Sequence, residues 1–316
     1  MKHTARITIF LISFFILSQL FGLFLISKEA QVKTTIVGNQ TIITVNYNDT
    51  SVGPRPETKG AESFIYIIIG VAIGTLLVLL LIRFKQSNLW KLWFFLAVWI
   101  ALSISLGVLI KQQFFFAYDI AIIIAFILAL WKVLRPNVYV HNITEVLMYS
   151  GIALLLAPIF DVLWAIMLLL VISLYDIYAV WKSKHMVKMA KFQTKSNIFA
   201  GLMIPYKAKP TKEELIEYKK ELPKGAKKTS KEIPKNAILG GGDVVFPLIF
   251  SGTVLNGLIL EGMSKSTAFL QTSIIVATTA IALTLLFIYA KKGKFYPAMP
   301  FVTLGCLIGW VIVLLI

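Results

Sequence analysis

Cysteine is almost absent from this 316-residue chain, whose single thiol is Cys306. That excludes an internal disulfide and any cysteine-built metal site. Histidine is scarce too, and His3, His141 and His185 lack the spacing of a ligand set, so neither a metal nor a cofactor is expected. Acids are few: 15 Asp and Glu stand against 31 Lys and Arg, leaving a net charge of +16. An excess of this size could signal nucleic acid. Here, however, the basic residues fall between apolar runs, as cytoplasmic loops do under the positive-inside rule, and no nucleic-acid partner is expected.

Apolar residues dominate, at 58% of the chain, with mean hydropathy +0.82, whereas a soluble domain is roughly 45–50% apolar. Runs of about 20 apolar residues recur, each able to cross a hydrocarbon core of about 30 Å. The pattern predicts an all-α polytopic membrane protein with nine spans: 7–26, 63–82, 89–110, 114–134, 143–160, 162–181, 237–260, 268–290 and 297–316. No A-x-A-like site precedes "SKEAQV", so the first run reads as a retained span and not a cleaved leader. Residues 143–181 are too long for one crossing, and Pro158 and Asp161 in "APIFDVLW" break them into two antiparallel spans.

Lys2, Arg6, Arg83, Lys85, Lys91, Lys132, Arg135 and the 182–236 loop, with its fifteen lysines, share one face if the N-terminus is cytoplasmic. The C-terminus then lies outside, and the cell membrane is the expected location. The chain divides into an N-terminal membrane part (1–182), a basic cytoplasmic loop (183–236) and a C-terminal membrane part (237–316). In the outer segment, "TTIVGNQTIITVNY" alternates around Gly38-Asn39 and predicts a small β-hairpin. Asn39 and Asn48 begin N-x-T acceptor sequences on the outer side, and Asn142 begins one inside. In the loop, 211–222 predicts a capped amphipathic helix and 223–235 a basic linker. The less polar 197–205 is too short to span, and is expected at the interface or dipping toward the bundle.

The chemistry lies in the membrane acids. Asp119, Glu145 and Asp161 fall near span ends, where interfacial water is within reach. Asp176, in "LYDIYAV", is six residues before Lys182, or about 9 Å inside the cytoplasmic boundary at 1.5 Å per residue. Asp243 enters from the same side on the next span, after Gly240, Gly241 and Gly242. A carboxylate at such depth costs about 2.5–3.5 kcal/mol on insertion scales. Two facing carboxyls at matched depth can share one proton, so that one activates water while the other donates to a carbonyl. The glycine run is poor helix and leaves backbone open beside Asp243, and Pro247 should kink the same helix.

"VISLYDIYAV" in the sixth span and "LGGGDVVFP" opening the seventh resemble the presenilin and signal peptide peptidase family of GxGD intramembrane aspartyl proteases. The family's Pro-Ala-Leu element is matched by "YPAMP", with Met299 in place of Leu. Nine spans and a long loop between the sixth and seventh also match. The resemblance implies a presenilin-like fold and hydrolysis of peptide bonds within transmembrane segments of other membrane proteins in the bilayer. It implies Asp176 and Asp243 as the catalytic pair, and Tyr175, Gly240, Gly241, Gly242, Pro297, Ala298 and Met299 as the substrate site. The lysine distribution matches the presenilin orientation, while proline four residues after the aspartate is closer to signal peptide peptidases. The plain chain suggests a microbial, archaeal homologue.

Paired membrane acids near broken helices also serve proton- or cation-coupled transporters and channels. Such carriers carry an internal repeat, and no counterpart of 240–243 occurs in the first four spans. A prepilin-type peptidase also uses a GxGD aspartate but lacks the nine-span plan. Oligomeric state and natural substrate are not set by the sequence.

Overall fold

The computed structural model describes residues 5–37, 40–111, 116–135, 137–183, 185–195, 198–208, 233–290 and 296–316. The first half comprises α1 (Ala5–Glu29), β1 (Gln31–Val37), β2 (Gln40–Asn46), α2 (Ala61–Arg83), α3 (Ser87–Ile110), α4 (Ala117–Leu134), α5 (Val138–Leu156) and α6 (Val162–Ile177). Then follow α7 (His185–Lys195), β3 (Gly201–Ala208), β4 (Ile233–Gly240), α8 (Gly242–Leu260), α9 (Lys265–Tyr289) and α10 (Met299–Leu314). Among the described residues, eight helices are long and apolar enough to cross a membrane, and α10 is a shorter apolar ninth. At 16 residues it is about 24 Å long. The Tyr296–Ala298 segment, which has no regular secondary structure, leads into it.

Most span limits agree with the apolar runs, and the exceptions have local causes. α5 starts at Val138 because Asn137 accepts a hydrogen bond from Tyr139 N (2.9 Å) and caps the helix early. The predicted break between the fifth and sixth spans is a 3₁₀ turn at Ala157–Ile159, after which Asp161 caps α6 through Trp164 N (3.0 Å). The seventh span departs most. Residues 237–240 are strand, and α8 begins only at Gly242. β4 pairs antiparallel with β3, which satisfies the backbone groups of one of its edges at a point where glycines make a helix costly. Residues 201–205 therefore dip into the bundle as a strand, against α1 and α5.

Small residues set the closest helix contacts. A Cβ on Gly151 would lie 2.0 Å from Ala101 O, so α3 and α5 meet backbone to backbone. Gly305 and Gly309, four apart on α10, do the same against Thr279 and Ile275 of α9. α2 is peripheral, with only Ser63 and Val78 buried.

Between α1 and α2, β1 and β2 form the expected hairpin, paired from Gln31↔Asn46 to Val37↔Gln40. The Gly38-Asn39 turn and the Asn39 acceptor lie outside the described residues, as do the 211–222 helix and most of the basic linker. After the hairpin, Arg55 reaches Asn48 O (2.7 Å) and Leu154 O (2.5 Å), and the hydroxyl of half-buried Tyr47 donates to Asn256 Oδ1. Burial pushes the Tyr47 phenol up from its ordinary value, so it stays a donor. The Asn142 acceptor is 4% exposed, with its amide committed to β3.

Candidate active site

Asp176 stands in the last turn of α6 and is 4% exposed. Beyond Ile177 the helix widens into a π turn over Tyr178–Lys182, closed by Ser183 N to Tyr178 O (3.0 Å). Such a turn inside a helix is common near functional sites. The carboxylate faces the start of α10, where Met299 N donates to Asp176 Oδ2 (3.1 Å). Pro297 and Met299 are buried and Ala298 half-buried. One turn away, Ser173 Oγ and Thr303 Oγ1 are 2.6 Å apart, which fixes α6 against α10.

Asp243 stands in the first turn of α8. Its carboxyl folds back over Gly240: a Cβ there would lie 3.0 Å from Asp243 Oδ2. A Cβ on Gly241 would lie 3.1 Å from the Tyr149 ring and hydroxyl, while Gly242 is exposed. Gly241 N bonds to Ala200 O (3.1 Å), and Val245 N closes the first helical turn on Gly241 O (2.9 Å). Pro247 offers no N–H to the Asp243 carbonyl. Gln19 Nε2 of α1 donates to the next carbonyl, Val244 O (2.7 Å). α6 packs on both α8 and α10. Among the described residues no cluster of three or more His, Cys, Asp or Glu is placed to hold a metal ion.

The residues expected from the sequence thus divide. Asp176, Asp243, Gly240, Gly241, Gly242, Pro297, Ala298 and Met299 lie on three converging segments. Tyr175 is engaged elsewhere. Its hydroxyl lies 3.1 Å from Thr75 Oγ1 of α2 and 2.9 Å from His185 Nε2 of α7, so it ties α6 to both. Asp119 and Asp161 are exposed, in keeping with a position near water. Glu145 is not: it is fully buried and pairs with buried Lys132 at 2.5 Å. A lysine on the preceding helix meets its Oε1, so the charge is paired inside the bundle and not at interfacial water. Tyr149, Ser173 and Thr303 escaped the sequence reading. Only their helical spacing from Glu145, Asp176 and Met299 could have pointed to them.

A family model described as signal-peptide peptidase, presenilin aspartyl protease matches residues 21–316. Two solved structures of a presenilin family intramembrane aspartate protease, in P2 and C222 space groups, share the fold. The first has TM-score 0.59 and 17% identity, covering 96% of this chain and 96% of that one. The second has TM-score 0.58 and 16% identity, covering 96% and 94%. Comparison with curated protein sequences gives no significant match.

Proposed function

Because this chain belongs to the signal-peptide peptidase and presenilin family of intramembrane aspartyl proteases, we propose that Asp176 and Asp243 are its catalytic pair. They would cut peptide bonds inside transmembrane helices of other membrane proteins. The observation that carries the reading is the meeting of Asp176 with Met299 N on one side and of Asp243 with Gly240 on the other. Each carboxyl is held by a segment that carries one of the three motifs.

The chemistry follows from one proton shared by two carboxyls. The ionised one takes a proton from water, and the water oxygen bonds to the scissile carbonyl carbon. The protonated one donates to the carbonyl oxygen. Breaking of the C–N bond then leaves a carboxylic acid and an amine: the amine takes up the proton removed from water, and one hydroxyl proton of the tetrahedral centre returns to the carboxyl that donated, restoring the shared proton. No covalent intermediate with the protein forms.

A peptide bond in a helix is shielded and committed to hydrogen bonds, so the substrate must unwind near the dyad. β4 runs into Gly240, and its edge away from β3 pairs with no strand among the described residues. That edge, with Gly240–Gly242 and Pro297–Met299, suits an extended substrate segment added as a strand. The lysine distribution favours a cytoplasmic N-terminus, an outer C-terminus and a cell-membrane location.

The test is incubation of the purified chain with a model single-span substrate in detergent, with products mapped by mass spectrometry. Cleavage within the span is expected. An uncleaved substrate, together with proton or cation flux when the chain is placed in liposomes, would overturn the reading in favour of a transporter.

A further inference from the structure

Two neighbouring side chains of α5 grip the edge of β3. Asn142 Nδ2 donates to Met203 O (2.8 Å) and Asn142 Oδ1 accepts from Met203 N (2.9 Å). His141 Nε2 lies 2.7 Å from Gly201 O, so that nitrogen carries the proton. Both side chains are buried, Asn142 at 4% and His141 at 9% exposure. Alternate residues of a strand turn their backbone groups to the same edge. Residues 201 and 203 therefore present theirs to α5 together, where a third strand would otherwise pair. An asparagine amide has the donor and acceptor of a peptide unit and can replace one.

The opposite edge of β3 leads to the acid. Gly201 pairs with Gly240 and Met203 with Ile238. Gly240 is the residue over which the Asp243 carboxyl folds, and Gly241 N reaches back to Ala200 O. The grip is itself fixed from behind: Lys132 Nζ of α4 bonds Glu145 Oε1 (2.5 Å) and Thr144 Oγ1 (3.0 Å), and lies 3.5 Å from His141 O. Apolar packing of α5 on β3 would hold the strand without this grip but would leave three backbone groups, those of Met203 and the buried Gly201 carbonyl, without these partners.

We propose that Asn142 and His141 are positioning residues for Asp243. By clamping β3 edge-on they fix the height and tilt of the Gly240–Gly242 turn, and with it the aim of the Asp243 carboxyl. The inference rests on the reading of Asp176 and Asp243 as the catalytic pair.

Replacement of Asn142 by Asp gives a readout that packing alone would not move. A protonated aspartic acid offers Met203 the same donor and acceptor as asparagine, whereas an aspartate turns a second acceptor toward Met203 O. The ionisable side chains of the same buried cluster, His141, Glu145 and Lys132, are present in both proteins, so the ratio of variant to wild type reports the change made at residue 142. The experiment measures kcat and KM of the full chain on a single-span substrate from about pH 5 to about pH 8. Asn142→Ala is expected to lose about 10- to 100-fold in kcat at every pH, with KM little changed. Asn142→Asp is expected to approach wild type toward acid and to fall away toward neutral pH.

Wild-type activity in Asn142→Ala, or an Asn142→Asp ratio flat with pH, overturns the proposal. So does loss of folded protein in both variants by size exclusion, which would assign the grip to folding as a whole. Asp176→Ala and Asp243→Ala run alongside. If they cleave, the dyad reading has failed. If they are dead while Asn142→Ala is normal, only the positioning role has.

Discussion

Met299 donates its backbone N–H to Asp176 Oδ2 across 3.1 Å, so the start of α10 holds the acid at the end of α6. The donor is main chain, and its side chain serves only as buried filling. Met299→Leu conserves volume and leaves the N–H in place, so kcat should stay within about twofold of wild type. Met299→Pro removes the donor and should lower kcat by about tenfold or more. Steady-state cleavage of a single-span peptide by both variants checks this.

A methyl group at residue 240 would sit 3.0 Å from Asp243 Oδ2. Gly240→Ala should therefore turn the carboxyl aside and cut kcat by about tenfold or more, with little change in thermal unfolding. Gly257 is the control. Its nearest neighbour for an added Cβ is Val162 at 3.7 Å, an ordinary contact. Gly257→Ala should leave kcat unchanged and stabilise α8 by about 0.5–1 kcal/mol.

Much of this site is legible in the sequence because acids in apolar runs are costly and few. Asp176 and Asp243 stand out for that reason, and Pro158 and Asp161 mark the turn before α6 by the same local logic. β3 and β4 are not legible. Within β4, residues 233–235 read as the end of the basic linker and 237–240 as the start of an apolar span, and the strand partner lies across a long loop, so no local periodicity announces the pair. The Asn142 grip is hidden for the same reason, since its partner is backbone. Glu145 was within reach: Lys132 lies at matched depth on the adjoining span, which is the argument that paired the two aspartates.

The Lys132–Glu145 pair is buried on both sides, at 2% and 0% side-chain exposure. Lys132→Met strands a carboxylate and should cost about 3–5 kcal/mol of stability. Lys132→Met combined with Glu145→Leu should recover most of that loss. Thermal unfolding of the single and double variants in detergent provides the comparison.

The Tyr175 hydroxyl bridges Thr75 and His185, and the other His185 ring nitrogen meets Ser183 Oγ. Burial lowers the His185 pKa from 6.5, so the folded chain favours the neutral ring. The unfolded chain therefore binds the proton more readily, and the tie among α2, α6 and α7 weakens as pH falls below 6.5. Hydrogen exchange in α7 should quicken in mild acid for wild type, and His185→Gln should remove that dependence.

The central claim is that Asp176 and Asp243 act as one unit. Its most direct test is cleavage of a single-span substrate by wild type, Asp176→Ala and Asp243→Ala, each shown folded by size exclusion. The prediction is that either substitution alone abolishes cleavage while the folded state persists. Cleavage at the wild-type rate by either folded variant would contradict the account.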